Sequence, residues 1–255
     1  SKKKQKAQNN NNGMFKPVTY IFSICLLIAV CFLGACSNTR YFPEGETLYV
    51  GNQVRVADSS LSRAKSKDME KELSEIIRPR RNRVFLGIRF KLWVYNVAGA
   101  PKKESGIRYW LRNKMGEAPV FGSDLSIDAN TKIINNYLQN QGYFRAFSTG
   151  EKVTKKEKTK AFFVVNSGPQ SLGNQIVFTE SDSSAIGRDV AAMKDKTLLH
   201  PDDPYNLELI KTERERISQN LKNNGYYYFN PNYVIIIADT GIGNNRVDLS
   251  IKLKT

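Results

Sequence analysis

Thr131-Lys-Ile-Ile-Asn-Asn-Tyr-Leu-Gln-Asn-Gln-Gly-Tyr-Phe144 returns as Arg214-Glu-Arg-Ile-Ser-Gln-Asn-Leu-Lys-Asn-Asn-Gly-Tyr-Tyr227, at an offset of 83 residues. Ile134 and Ile217, Leu138 and Leu221, Gly142 and Gly225, and Tyr143 and Tyr226 coincide. In each copy the two aliphatic residues lie four apart, which puts them on one face of a helix. The glycine follows the last periodic residue, where a left-handed helix cap is easiest without a Cβ. An aromatic pair then opens a strand-like run. Two copies of one structural unit account for the repeat.

The segments around each copy match as well. After Gly142 come a strand candidate, Tyr143 to Val153, a charged turn, Thr154 to Thr159, and a second strand, Lys160 to Val165. After Gly225 come Tyr226 to Ala238, the turn Asp239 to Asn245, and the strand Arg246 to Leu253. In that last strand Val247, Leu249, Ile251 and Leu253 alternate with Asp248, Ser250 and Lys252, the period of a sheet with one wet face. Upstream, Gln170 to Thr179 reads as a strand, and a helix near Ser183 to Met193 follows with Ser or Asp as its N-cap. Thr47 to Val56 reads as a strand before a helix from about Lys67 to Ile77. That helix places Met69, Leu73, Ile76 and Ile77 on one face and stops before Pro79. The expected fold is α+β, with two tandem β-α-α-β-β units at 47–166 and 167–255. The first carries an insertion at about 79–126, and neither unit closes into a β-barrel.

The N-terminal segment points to export. Val18 to Leu33 is an apolar run of 16 residues with Lys16 before it and small residues at its end. It is shorter than the roughly 20 residues a membrane-spanning helix needs, and it reads as a secretory signal, 14–35. Ser1 to Gly13 precedes Met14 and is read as lying upstream of the true start. Leu33-Gly34-Ala35-Cys36 resembles a bacterial lipobox, which implies a covalent lipid on Cys36, with 36–46 as a tether. Cys25 and Cys31 fall within the signal, so the exported chain keeps one cysteine and no internal disulfide.

The formal charge of +15 is uneven. Residues 61–115 hold 15 Lys/Arg against 5 Asp/Glu, and the rest of the exported chain is close to balanced. Arg78, Arg80, Arg81 and Arg83 are the densest basic patch. Export argues against nucleic acid and leaves an anionic membrane surface or an acidic partner. Trp93 and Trp110 are expected to pack inside the enlarged first unit.

The order β-α-α-β-β, the Gly-Tyr-Phe helix exit and Val164-Val-Asn-Ser-Gly-Pro169 between the units resemble POTRA (polypeptide-transport-associated) domains. Those domains form the periplasmic arm of BamA/TamA-type outer-membrane assembly proteins. Cys36-Ser-Asn-Thr-Arg-Tyr-Phe-Pro-Glu-Gly-Glu46, Asn82-Arg-Val-Phe-Leu-Gly-Ile-Arg89, Trp93-Val-Tyr-Asn96, and Trp110 with Gly116-Glu-Ala-Pro-Val120 resemble, more narrowly, TamA-like outer-membrane lipoproteins. Such relatives continue into further POTRA units and a barrel. The expectation is therefore a segment of such a protein or a free-standing POTRA lipoprotein. The resemblance implies a periplasmic module tethered to the inner leaflet of the outer membrane. Its partners would be unfolded outer-membrane proteins or assembly proteins. It also implies that the second strand of each unit is a sheet edge. Tyr233, Val234, Ile235, Ile236 and Ile237, apolar at consecutive positions, are the candidate docking strand. An adaptor that docks an envelope complex without handling substrate is the alternative.

No catalytic constellation is legible. His200 is the only histidine and sits beside Pro201, Asp202 and Asp203 in a loop. With no second His and no free Cys, zinc sites and Cys/His dyads lack their ligands. Gly241-Ile-Gly243 reads as turn chemistry. A binding module without cofactor, metal or turnover is the expected class.

Overall fold

The computed structural model describes residues 41–178 and 184–254. The apolar run and Cys36 lie outside the described residues, as does Ser183 at the expected helix start. In chain order, the first unit comprises β1 (Leu48–Val56), α1 (Arg63–Ile76), α2 (Phe90–Ala98) and α3 (Ile107–Trp110). α3 runs on into a π-helical turn, Leu111–Met115, and α4 (Ile127–Asn140), β2 (Phe147–Lys155) and β3 (Lys158–Asn166) follow. The second unit comprises β4 (Leu172–Phe178), α5 (Ala185–Ala191), α6 (Leu207–Asn223), β5 (Val234–Asp239) and β6 (Arg246–Leu253). The two sheets are three-stranded, ordered β1-β3-β2 and β4-β6-β5. In each the last strand is central and the second is an edge. β4 runs parallel to β6 and β5 antiparallel to it. Among the described residues no barrel forms.

The repeated sequence folds the same way twice. Ile134, Leu138, Ile217 and Leu221 are all buried. At the end of α4, Tyr143 N–H donates to Leu138 O at 2.9 Å and Gly142 N–H to Gln139 O at 3.0 Å. At the end of α6, Tyr226 N–H donates to Leu221 O at 3.0 Å and Gly225 N–H to Lys222 O at 3.2 Å. This is the Schellman pair of bonds, and it needs the left-handed φ of +86° at Gly142 and +100° at Gly225. Gly142 has a second reason: a Cβ there would lie 3.0 Å from Tyr205 O.

Helix starts follow side-chain caps. Ser62, Ser126, Ser184 and Asn206 each accept a backbone N–H of the first turn. Ser62 starts α1 four residues earlier than hydrophobic periodicity suggests, because capping outweighs polar side chains in an exposed first turn. Phe178, Val190, Ile210, Ile217, Leu221, Val247 and Ile251 belong to the core of the second unit. The described chain forms two compact bodies. One gathers 41–50, 80–124 and 154–159. The other gathers 51–79, 125–153 and 160–254 and so holds most of both sheets.

Candidate strand-docking edge

β5 is built by the turn before it. Tyr226 to Phe229 do not extend the strand, contrary to the sequence reading: Phe229 N–H bonds back to Tyr226 O at 2.9 Å. Tyr233 belongs to a 3-10 turn, Pro231–Tyr233. The Schellman cap causes this difference, since it reverses the chain just after Gly225 and the aromatic pair is used in the reversal. The first repeat behaves alike, with Ala146 N–H on Tyr143 O at 3.0 Å and β2 starting only at Phe147. Arg214 fixes the second turn by donating to Pro231 O at 3.0 Å and to Asn232 Oδ1 at 3.1 Å.

The phase of the β5–β6 ladder decides which backbone groups are free. β5 pairs Val234 with Leu253 and Ile236 with Ile251, and Lys254 N–H donates to Tyr233 O at 2.8 Å. Residues 233, 235 and 237 therefore form the hydrogen-bonded pairs, and Val234, Ile236 and Ala238 aim their backbone away from β6. Val234 N–H is used by Pro231 O. Val234 C=O and both polar backbone groups of Ile236 and Ala238 then face outward along an edge with no further strand among the described residues.

Side chains alternate across the same strand. Val234 is buried and Ile236 packs against the core, while Ile235 and Ile237 are exposed. The consecutive apolar run is thus split between two faces by the two-residue period of a strand, a correction to its reading as uniformly apolar. Tyr227 and Tyr228 stand in water near the start of the strand, Tyr228 at 99% exposure. Tyr226 instead bonds Asp189 through its hydroxyl at 2.8 Å, which holds its own pKa above the ordinary value. The corresponding edge strand of the first sheet, β2, differs: it carries Glu151, Lys152 and Lys155, charges of the kind that deter strand pairing.

The four arginines of the basic patch differ in their own contacts. Arg78 donates to Glu75 O at 2.9 Å and Ile77 O at 3.1 Å, closing the end of α1. Arg80, Arg81 and Arg83 are exposed and belong to the body that holds the insertion. Arg89, at the end of the Asn82–Arg89 motif, is half-buried there. Burial pushes its pKa down, and the like charge of Arg81 adds to the effect. Trp93 is half-buried and stacks on Phe90 with centroids 5.8 Å apart. Trp110 is 52% exposed, so it does not close the unit as expected; the π-helical turn after it carries the chain on while leaving the indole outside. Glu213 was missed in the sequence. It is buried on α6 and receives Arg216, Thr197 Oγ1 and Leu198 N–H.

Asp202 pairs with Arg246. Among the described residues no group of three or more His, Cys, Asp or Glu could hold a metal ion. Among them, too, no helix is long and apolar enough to cross a membrane.

Residues 175–255 match the POTRA family model, described as the surface antigen variable number repeat. The POTRA match begins inside β4 and runs through β5 and β6. No curated protein matches the chain in sequence. Among solved structures, POTRA1-2 of the periplasmic domain of Omp85 from Anabaena is 12% identical, with a TM-score of 0.38 over 84% of this chain and 99% of that one. BamA POTRA3-5 from Haemophilus influenzae is 14% identical at a TM-score of 0.30, over 84% and 100%. CdiB from Escherichia coli is 11% identical at 0.28, and 29% of it is covered by 85% of this chain. The POTRA assignment of the C-terminal unit rests on the family model, and the first unit has the same strand order.

Proposed function

We propose that this chain is a periplasmic POTRA module of outer-membrane protein assembly or translocation that binds extended strands along β5, without enzymatic turnover. The observation that carries the proposal is the outward row of backbone groups on Val234, Ile236 and Ala238, in a strand with no charge before Asp239. A guest strand adding there would satisfy these groups through main-chain bonds, which tolerate many sequences. Ile235 and Ile237 would set a preference for alternating apolar residues, the pattern of outer-membrane β-strands. The POTRA match over 175–255 and the resemblance of the flanking motifs support the setting. Cys36 would carry the lipid that tethers the module to the inner leaflet of the outer membrane.

Ala238→Pro tests the docking. Ala238 N–H faces outward, so proline there removes a guest bond and no bond to β6. Binding of a peptide with outer-membrane strand alternation should weaken at least tenfold, about 1.4 kcal/mol, with the thermal melt little changed. Equal binding by Ala238→Pro would sink the proposal. Cys36→Ala should separately abolish incorporation of labelled fatty acid.

A further inference from the structure

The insertion of the first unit holds a hairpin that is apolar at its tip and basic at its base. Phe85 N–H donates to Ile88 O and Ile88 N–H to Phe85 O, both at 2.9 Å. Leu86 and Gly87 form the two-residue corner, at φ +48° and +79°. A type I′ turn demands positive φ at both positions. Glycine accepts that region without cost, whereas a leucine is strained in it, and Asn or Asp is the usual occupant. Yet Leu86 is 85% exposed and Phe85 72%, with Val84, Ile88 and Phe90 also exposed. Neither the turn nor the core explains these side chains.

The stem below them is pinned on both sides. Asn82 is buried; its Nδ2 donates to Ala118 O at 2.7 Å and its Oδ1 accepts Val120 N–H at 3.0 Å. Arg83 N–H reaches Glu117 Oε2 at 3.2 Å, and Glu117 N–H reaches Lys91 O at 3.1 Å. Trp93 N–H closes onto Arg89 O at 3.0 Å as α2 begins. The apolar tip is held outward on a braced support.

Charge surrounds the support. Residues 78–103 contain Arg78, Arg80, Arg81, Arg83, Arg89, Lys91, Lys102 and Lys103 and no Asp or Glu. Among the described residues the ion pairs lie elsewhere, at Lys211–Glu208, Arg216–Glu213 and Arg246–Asp202. Arg89 Nε is buried with no hydrogen-bond partner. We infer that the 84–88 hairpin inserts into an anionic phospholipid bilayer, with Arg81, Arg83 and Arg89 at the level of the phosphates. Basic residues below an apolar tip match the order of a bilayer met from water, anionic headgroups first and hydrocarbon beneath. A nucleic acid would satisfy the charges but leave Phe85, Leu86 and Ile88 in water. The inference does not depend on the docking role of β5.

An environment-sensitive fluorophore on Leu86→Cys tests it, in the full chain carrying Cys25→Ser, Cys31→Ser and Cys36→Ser. A second sample carries the label at Tyr228→Cys, so that membrane association through any other segment is seen separately. With phosphatidylcholine–phosphatidylglycerol vesicles the label at 86 should brighten, shift to the blue and be quenched by nitroxide lipids, while the label at 228 stays aqueous. Phe85→Ser should weaken the response at least tenfold. Arg81→Ala with Arg83→Ala should weaken it about 25-fold, at roughly fivefold for each charge, and high salt should act in the same direction. A label at 86 that stays in water while the chain sediments with vesicles would overturn the inference. So would an equal response to pure phosphatidylcholine, or a response to polyglutamate and not to vesicles, which would indicate an acidic protein partner.

Discussion

Removing the Glu213 carboxylate should cost more stability than any other single polar change in the second unit. Glu213 is fully buried on α6, and its two oxygens take Arg216 Nη2 and Nε, each at 2.7 Å. They also take Thr197 Oγ1 at 2.9 Å and Leu198 N–H at 3.1 Å. One side chain therefore ties the segment before Leu199 to the helix that covers the sheet. Breaking a buried ion pair from one side costs about 3–5 kcal/mol. The Arg216 side chain keeps 17% exposure, so water recovers part of that. We expect Glu213→Ala to cost about 3 kcal/mol, and Glu213→Gln, which keeps one acceptor, about 2 kcal/mol. With a urea slope of about 2 kcal/mol/M, the midpoint seen by far-UV circular dichroism should fall by about 1 to 1.5 M.

The pH dependence gives an independent check. Burial alone would push the Glu213 carboxyl up, but the bonds from Arg216, Leu198 and Thr197 outweigh it and hold the group below its ordinary value of 4.5. A lowered folded pKa gives stability that is fully present above the unfolded value and is lost as pH falls through the folded one. The gap between wild type and Glu213→Gln should therefore be constant near neutrality and shrink in acid below about pH 4. A cost under about 1 kcal/mol, or a gap unchanged in acid, would refute the assignment of this cluster as a stabilising clamp.

The two repeat glycines should differ in tolerance. Gly225→Ala meets nothing within 4 Å and should cost only the left-handed strain, about 1–2 kcal/mol. Gly142→Ala adds a contact at 3.0 Å with the Tyr205 backbone and should lower the melting temperature further than Gly225→Ala. Asn82→Ala strands Val120 N–H and Ala118 O and should cost about 2–3 kcal/mol. Because both tryptophans of the chain, Trp93 and Trp110, lie in the insertion, the unfolding of that body can be followed by intrinsic fluorescence.

Much of the fold was legible because its determinants are local. The four-residue spacing of Ile134 and Leu138, and of Ile217 and Leu221, together with the glycine after it, specifies a helix and its cap within fourteen residues of sequence. The strand starts were misread for a related reason. Tyr143–Phe144 and Tyr226–Tyr227 have strand-like composition, but the cap turns the chain through them, so β2 and β5 begin later. The insertion resisted reading because apolar and basic residues are mixed in it without one clear period. Gly87 is the one residue of Val84 to Arg89 that fits a tight turn, and Leu86 stands where Asn or Asp would have signalled a hairpin.

The sequence by itself determined the repeat, the order of elements outside the insertion, the two glycine caps and the concentration of positive charge between 61 and 115, because each follows from nearest neighbours along the chain. Tertiary structure alone decided three other things. It chose which of Val234 to Ile237 turn inward, through the register against β6 and the position of the turn that precedes it. It closed Arg78 onto its own helix and half-buried Arg89. It also braced the 84–88 tip through Asn82 and Glu117, contacts made across more than thirty residues. Burial and register depend on partners distant in the chain, and single-chain patterning does not encode which partner a group will meet.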